Sequence, residues 1–325
     1  RRLTSRPLSQ FIAQGDPMGL ALVFLLALGS IWGLSISTSK LAVQAFGPFS
    51  VVFWYALVAF LVLAAISLVR GKLPPLDGRH VRYYVASGLI GFAIPSLNNV
   101  LVVQQVPAGI LSTMIATAPV FTYAIALVAG QERFQVMRAS GIGLGLVGAL
   151  VILLPANSLP DAGMAPSVAL GLLTPFLYGI SAVVISRYMP RETDSITLAT
   201  GFLGVAVVFF LATMLASGET ALPWPVQWPG SHMILWLGIT SSAAYVLYFQ
   251  IIRIAGPVYL SQVGYLVVTI GVVAGILIFD EQHSLWAWIG IGLMVSGLVL
   301  VNLGQLRAAR AARLKAAIDD QDKKR

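Results

Sequence analysis

Apolar stretches of about twenty residues, the length a helix needs to cross the hydrocarbon core of a bilayer, recur along this chain between short polar connections. They fall at 19–43, 49–69, 83–105, 108–130 and 138–155 in the first half. In the second half they fall at 167–186, 195–217, 231–252, 257–279 and 285–304. The pattern predicts an all-α integral membrane protein with ten transmembrane helices. The two halves also echo each other. Gly-Ile-Gly-Leu stands at Gly141 to Leu144 and again at Gly290 to Leu293, and the same interval carries Glu132 onto Glu281 and Gly148 onto Gly297. The second half therefore reads as a diverged copy of the first. The expected units are a first five-helix repeat over 19–155 and a second over 167–304. A short tail, 1–18, an outer linker, 156–166, and a basic tail, 305–325, complete the chain.

Composition agrees with the apolar pattern. Of the 325 residues 58% are hydrophobic and only 10% charged, against about 25% charged in soluble domains, and the mean hydropathy is +0.88. There is no cysteine, so disulfides, thiolate metal sites and cysteine nucleophiles are excluded. The apolar run behind Arg1, Arg2 and Arg6 is too long for a signal-peptide core and reads as an uncleaved first span.

The net charge of +8 changes the picture through its placement. All basic residues except Lys40 fall in alternate connections and in the two tails: around Arg70 to Arg82, Arg133 to Arg138, Arg187 to Arg191, Arg253, and from Arg307 onward. The connections around Pro48, Val106, Asp161, Glu219 and Asp280 hold none. Cytoplasmic loops carry the excess of Lys and Arg, so both termini are expected in the cytoplasm. Five spans per repeat is an odd number, so the second repeat must enter the membrane with the opposite polarity. Two inverted five-helix repeats are a recurrent plan of secondary transporters. The basic residues then point to a bilayer with anionic lipids as partner, not to nucleic acid.

Candidate chemistry is neutral. Stripes of polar residues at helical spacing run through Trp32, Ser35 and Ser39; Asn98 and Gln105, with Asn99 adjacent; Thr113 and Thr117; Ser241, Tyr245 and Tyr248; and Gln262, Tyr265 and Thr269. Each stripe either lines a pore or makes interhelical hydrogen bonds, worth about 0.6 kcal/mol apiece in membrane proteins. Trp32 and Tyr178 each lie well inside a span with glycine after them, a pair that suits an apolar or aromatic substrate. Trp224, Trp228, Trp236, Trp286 and Trp288 lie in or beside outer connections and read as interfacial anchors. Pro95, Pro119 and Pro175 predict bends around a central cavity. Gly141 with Gly145, and Gly271 with Gly275, let helices approach closely, as an internal scaffold or a homodimer contact.

No cofactor or metal site, and no paired carboxylates or nucleophile with its base, is visible inside the spans, so no enzyme is expected. Nor is there a phosphate-cradling loop of an ATP-driven pump. Glu132 and Glu281 read as helix-end caps or ion pairs, with Arg133 the nearest partner for Glu132.

These residues together resemble the EamA family of the drug/metabolite transporter superfamily. The resemblance rests on Trp32-Gly33 with Lys40-Leu41, Pro48, Val106-Pro107-Ala108-Gly109, Pro119, Gln131-Glu132-Arg133, Tyr178-Gly179, the Tyr245 to Arg253 segment and Asp280-Glu281 before Gly290-Ile291-Gly292. It implies a ten-helix transporter of small metabolites, commonly an exporter of amino acids or related compounds. The family often carries an Arg where Tyr55 stands and a proline where Val268 and Thr269 stand. Lys40, a position where the family often has Lys, is either a gate or carboxylate contact or a side chain snorkelling to headgroups. The substrate-binding set expected is Trp32, Ser39, Lys40, Asn98, Asn99, Thr117, Tyr178, Tyr245, Tyr248, Gln262 and Tyr265. The competing reading is a passive channel or membrane receptor for a small neutral or aromatic solute.

Overall fold

A computed structural model describes residues 17–103, 114–153, 165–219, 230–279 and 285–323. Every regular element among them is helical: α1 Pro17–Phe46, α2 Pro48–Val69, α3 Gly78–Gly88, α4 Ile94–Val103, α5 Ala118–Val128 and α6 Val136–Leu153. The second half contributes α7 Ala165–Tyr188, α8 Ser195–Ser217, α9 Gly230–Ala255, α10 Pro257–Ser261, α11 Val263–Phe279 and α12 Leu285–Lys323. Gln105, Thr113, the Val106 to Gly109 segment, Trp224, Trp228, Asp280 and Glu281 lie outside the described residues.

Six stretches among the described residues, within α1, α2, α7, α8, α9 and α12, are long and apolar enough to cross a membrane. Others are shorter or interrupted. One π-helical turn, Leu89–Ala93, separates α3 from α4, and a break at Gln262 separates α10 from α11. The π turn ends one residue before the α4 N-terminus and two before Pro95, whose missing N–H cannot continue the i to i−4 ladder. The outward surface is apolar: Leu61, Val208, Leu215 and Trp236 are all more than half exposed, as lipid-facing positions are.

Local sequence sets the corners. Gly47 at φ 78 and Gly256 at φ 85 take the left-handed turn that a side chain resists. Each is followed by a proline at the first helical position, Pro48 or Pro257, where the lost N–H has no intrahelical partner anyway.

The packing has a two-fold logic. α1 lies on α9 and α11, while α7 lies on α4 and α5; α2 packs on α9 as α8 packs on α3. α2 also packs on α8, α6 on α12, and α5 on α10. Exchanging the halves, α1 for α7, α2 for α8 and so on, maps every one of these pairings onto another or onto itself. The tightest is α6 with α12, and glycine makes it so. A Cβ on Gly141 would lie 2.8 Å from the Gly297 carbonyl oxygen, and one on Gly148 would lie 2.6 Å from that of Gly290. The glycine face of α6 is thus spent inside the chain, on α12. Gly143 and Gly292, the second glycines of the two echoed motifs, have no neighbour within 4 Å where a Cβ would stand.

Carboxylates fasten both ends of the α2–α8 pair. At one end Glu219 accepts from the backbone N–H groups of Phe49 (2.9 Å) and Ser50 (3.2 Å) at the start of α2, where the helix dipole favours an anion. At the other, Asp194 caps α8 through Ile196 and Thr197 N–H and pairs with Arg70 at 3.0 Å. Partial burial pushes the Asp194 carboxyl up, but Arg70 and the Thr197 donors hold it below its ordinary value of 3.8. A carboxyl with a lowered folded-state pKa stabilises above its unfolded value and loses that contribution as pH falls through the folded one. Asp194→Asn keeps a cap but loses the ion pair. It should cost a few tenths to about 1 kcal/mol at pH 7, read by thermal unfolding in detergent micelles. The gap from wild type should close as pH drops below 3.8; a gap that persists unchanged at pH 3 would exclude the charge as its source.

Glu132 pairs with Arg138, at 2.5 Å, not with Arg133, which is exposed. Six residues of loop and first helical turn bring Arg138 back over the carboxylate, burying its side chain to 4% exposure.

Candidate functional site: a central aromatic cavity

A cavity of about 260 Å³ lies among α1, α2, α4, α5, α7, α9 and α10–α11. Trp32, Tyr178 and Tyr245 bring it near the middle of the bundle, because each stands close to the midpoint of its own long helix, α1, α7 or α9.

Glycine next to two of these rings explains their placement. A Cβ on Gly33 would meet Ile270 at 2.8 Å and the Val267 carbonyl oxygen at 3.2 Å, so α1 presses on α11 at that point and turns Trp32 inward. A Cβ on Gly179 would meet the Thr122 nitrogen at 3.0 Å, so α7 presses on α5 and turns Tyr178 inward. These two contacts are exchanged by the two-fold relation between the halves. Tyr245 anchors the aromatic wall: its ring centroid lies 4.9 Å from Phe92, 5.0 Å from Phe202, and 6.2 Å from both Trp32 and Tyr248. Phe92 comes from the π turn, and Tyr55 of α2 lies 6.1 Å from it. An inserted π turn re-aims the residues that follow it, and such turns gather at functional sites.

The wall carries polar groups and no charge among its described residues. Ser35, Thr122 and Ser261 donate their hydroxyl protons to carbonyls of their own helices, at 2.7, 2.8 and 2.8 Å, which leaves oxygen lone pairs for a guest. The Tyr245 hydroxyl lies within electrostatic reach of those of Tyr55, Tyr178 and Tyr248. Tyr178 also lies beside Asn99, and Tyr55 beside Ser96. The Asn99 Oδ1 is buried with no hydrogen-bond partner among the described residues. A buried unsatisfied carbonyl oxygen is costly, and this one belongs to a residue of the cavity wall. No group of three or more metal-binding side chains occurs among the described residues.

Of the residues expected from sequence, Trp32, Ser39, Asn99, Tyr178, Tyr245 and Tyr248 meet at this wall. Lys40 follows Ser39 within α1, and its side chain lies outside the described residues. Four others are placed elsewhere. Asn98 donates to the Leu170 carbonyl at 2.8 Å and to Thr174 Oγ1 at 2.9 Å, tying α4 to α7; one step along a helix cannot share a face with Asn99. Thr117 bonds the Met114 carbonyl in the turn before Pro119. Gln262 sits fully buried at the α10–α11 break and donates to Val258. Tyr265 reaches across to α6, donating to the Ile142 carbonyl at 2.9 Å over Gly145. The break at Gln262 shifts the helical phase, so Leu260, Ser261, Gly264 and Val267 face the cavity instead.

Tyr55, Phe92, Ser96 and Thr122 also line the wall. Tyr55 carried a signal in sequence, as a hydroxyl standing where a resembling family often has Arg. Ser96 could be found only by pairing it with Asn99, three residues on. Phe92 is apolar in an apolar run and carried none.

Beyond the cavity, one end of the bundle is tied to the loop between α7 and α8. Besides the Arg70 pair, Arg79 pairs with Glu192 at 2.7 Å, His80 Nε2 bonds Thr193 Oγ1 at 2.9 Å, and Arg253 donates to the Thr193 carbonyl at 2.6 Å. His80 also bonds Asp77, which caps α3.

Comparison with known proteins now bears on this arrangement. The family model of the EamA-like transporter family matches residues 19–154 and again 165–303. The chain is 29% identical over 291 residues to the uncharacterized inner membrane transporter YedA of Escherichia coli K12, covering 86% of this chain and 90% of that protein. It is 26% identical over 264 residues to human solute carrier family 35 member E4, covering 78% and 72%. It is 23% identical to the uncharacterized transporter YvbV of Bacillus subtilis, covering 91% and 94%. One solved crystal structure shares the fold, with a TM-score of 0.74 at 16% identity over 89% of this chain and 98% of its own. The chain is a multi-pass membrane protein that belongs to the EamA-like transporter family.

Proposed function

We propose that this protein is a secondary transporter that moves a small organic metabolite outward across a bacterial inner membrane, the substrate being an amino acid or related compound with an uncharged, preferably aromatic, side chain. One observation carries the substrate class: the central cavity is walled by aromatic rings and hydroxyls, with no Asp, Glu, His, Lys or Arg among its described lining. A substrate with extra net charge would have to be desolvated there without a counter-ion, at a cost of several kcal/mol. The volume, about 260 Å³, falls just below the usual range of ligand pockets, roughly 300–1,000 Å³, which favours a small substrate. Ring faces of Trp32, Phe92 and Tyr245 suit an aromatic group, the tyrosine hydroxyls a carboxylate or carbonyl, and the hydroxyl oxygens of Ser35, Thr122 and Ser261 a donor such as an amine.

In this reading the chain has ten spans in two five-helix units of opposite orientation, with both termini in the cytoplasm. The two separate matches to one family model, the exchangeable helix pairings and the gathering of Arg70, Arg79, Arg187, Arg191 and Arg253 at one end support it. The inner-membrane name of the Escherichia coli relative supports the location. Two inverted halves that swap conformations open one cavity to either side in turn.

Counterflow in proteoliposomes tests the proposal. Labelled phenylalanine or tryptophan is expected to enter faster when the same unlabelled amino acid is loaded inside, with saturation, and with competition by neutral aromatic analogues but not by lysine or glutamate. Flux indifferent to internal substrate would make the protein a passive channel. Absence of saturable flux across a broad metabolite panel would remove the transporter of amino-acid-like compounds altogether.

A further inference from the structure

A second concavity, separate from the central cavity, lies at the arginine-bearing end of the bundle between α3 and the end of α7. It is an open groove of about 750 Å³, and four arginines line it: Arg79 and Arg82 from α3, Arg187 from the last turn of α7, and Arg191 from the loop that follows. Glu192 is the one acidic residue on its wall and is taken up by Arg79 at 2.7 Å. Arg82, Arg187 and Arg191 have no acidic partner among the described residues. Four like charges brought to one groove repel one another, and a single carboxylate offsets only part of that.

The groove is not polar throughout. Besides the arginines and Glu192 its wall is Tyr83, Ala86, Val184, Tyr188 and Met189. Ala86 lies one turn inward from Arg82 along α3 and Val184 one turn inward from Arg187 along α7, and Tyr188 beside them is 62% exposed. Arginines at the level where membrane-spanning helices end, with an apolar track leading back along those helices, match a molecule that has an anionic head and acyl tails. A free anion would use only the arginine end. Guanidiniums bind phosphate oxygens through paired N–H donors, which a lysine cannot reproduce, and basic pockets between helices at the cytoplasmic surface are places where acidic lipid headgroups lodge.

We propose that this groove is a binding site for the phosphodiester headgroup of an anionic glycerophospholipid, held by Arg82, Arg187 and Arg191 with Arg79 alongside. The site is independent of what the central cavity carries. A bound lipid would bridge α3 to the α7–α8 loop, the same loop that Arg70, His80 and Arg253 hold.

Lipid titration of the purified full-length protein in detergent micelles, followed by native mass spectrometry, tests this with phosphatidylglycerol as probe and phosphatidylcholine as control. Phosphatidylglycerol should bind tightly and phosphatidylcholine at least about tenfold more weakly. The triple variant Arg82→Gln, Arg187→Gln, Arg191→Gln should bind phosphatidylglycerol about 100-fold more weakly, at about tenfold or less per arginine. Arg82→Lys, Arg187→Lys, Arg191→Lys keeps the charge that sets topology, and so remains informative should the glutamine variant fail to insert; it should weaken binding about tenfold. The control variant Arg307→Gln, Arg310→Gln, Arg313→Gln removes the same charge from the tail and should leave binding within about threefold of wild type. Equal loss from the tail variant, equal binding of phosphatidylcholine, or displacement of the lipid by an equimolar amount of glycerol phosphate would each overturn the proposal.

Discussion

Tyr245→Ala is expected to abolish counterflow and to lower stability by about 3–5 kcal/mol, the usual cost of removing a large buried aromatic ring. The residue is 7% exposed, and its ring touches rings from three other elements: Trp32 of α1, Phe92 of the π turn and Phe202 of α8. Those elements belong to both halves of the chain, so the ring joins the halves as well as lining the cavity. Tyr245→Phe separates the two roles. It keeps every ring contact, so thermal unfolding in detergent should move little. It removes one hydroxyl from the cavity, and a lost hydrogen bond of 0.5–1.5 kcal/mol should raise the half-saturating concentration of a substrate that uses it about two- to tenfold, with little change in maximal flux. If a folded Tyr245→Ala protein transports at the wild-type rate, the cavity is not on the transport path.

The fold and the site were legible in the sequence to different depths, and helical phase explains the difference. Span positions rest on the length of apolar runs, which no local irregularity erases; α2 and α8 begin and end within a residue or so of the apolar stretches that predicted them. Facing direction rests on counting residues around a helix, and one irregularity rotates everything beyond it. The π turn at Leu89–Ala93 and the break at Gln262 are two such irregularities, and the second falls inside a stripe that misled. Asn98 was linked to Gln105 by a seven-residue spacing, yet Asn98 faces α7 and its neighbour Asn99 faces the cavity. Gln262 and Tyr265 were linked by a three-residue spacing that starts at the break itself. Stripes on unbroken helices fared otherwise: Trp32, Ser35 and Ser39 on α1, and Ser241, Tyr245 and Tyr248 on α9, all reach the wall. The glycines after Trp32 and Tyr178 were visible from the start. Their function was not, because a close approach to α11 or α5 depends on which helix lies opposite.

The echoed Gly-Ile-Gly-Leu motifs yield the sharpest structural contrast. Gly297→Val is expected to prevent stable folding or to cost at least about 3 kcal/mol, the upper part of the usual range for overpacking a tight core. A Cβ at that position would lie 2.5 Å from the Gly141 carbonyl oxygen and 2.8 Å from the Gly145 nitrogen. Both are backbone atoms of α6, so no rotamer change relieves the clash and the two helices must part. Gly141→Val should behave alike, its Cβ falling 2.8 Å from the Gly297 carbonyl oxygen. Gly143→Val and Gly292→Val, by contrast, add a side chain where nothing stands within 4 Å. Those variants should melt within about 0.5 kcal/mol of wild type, as surface changes usually do, or slightly above it, since glycine weakens a helix interior. Folded yield and thermal unfolding in detergent micelles read all four. If Gly143→Val or Gly292→Val destabilises as much as Gly297→Val, and does so more at high protein concentration, the outer glycines face a second copy of the chain. A homodimer through α6 and α12 would then be built on the second glycine of each motif, while the first glycine of the α6 copy holds the monomer together.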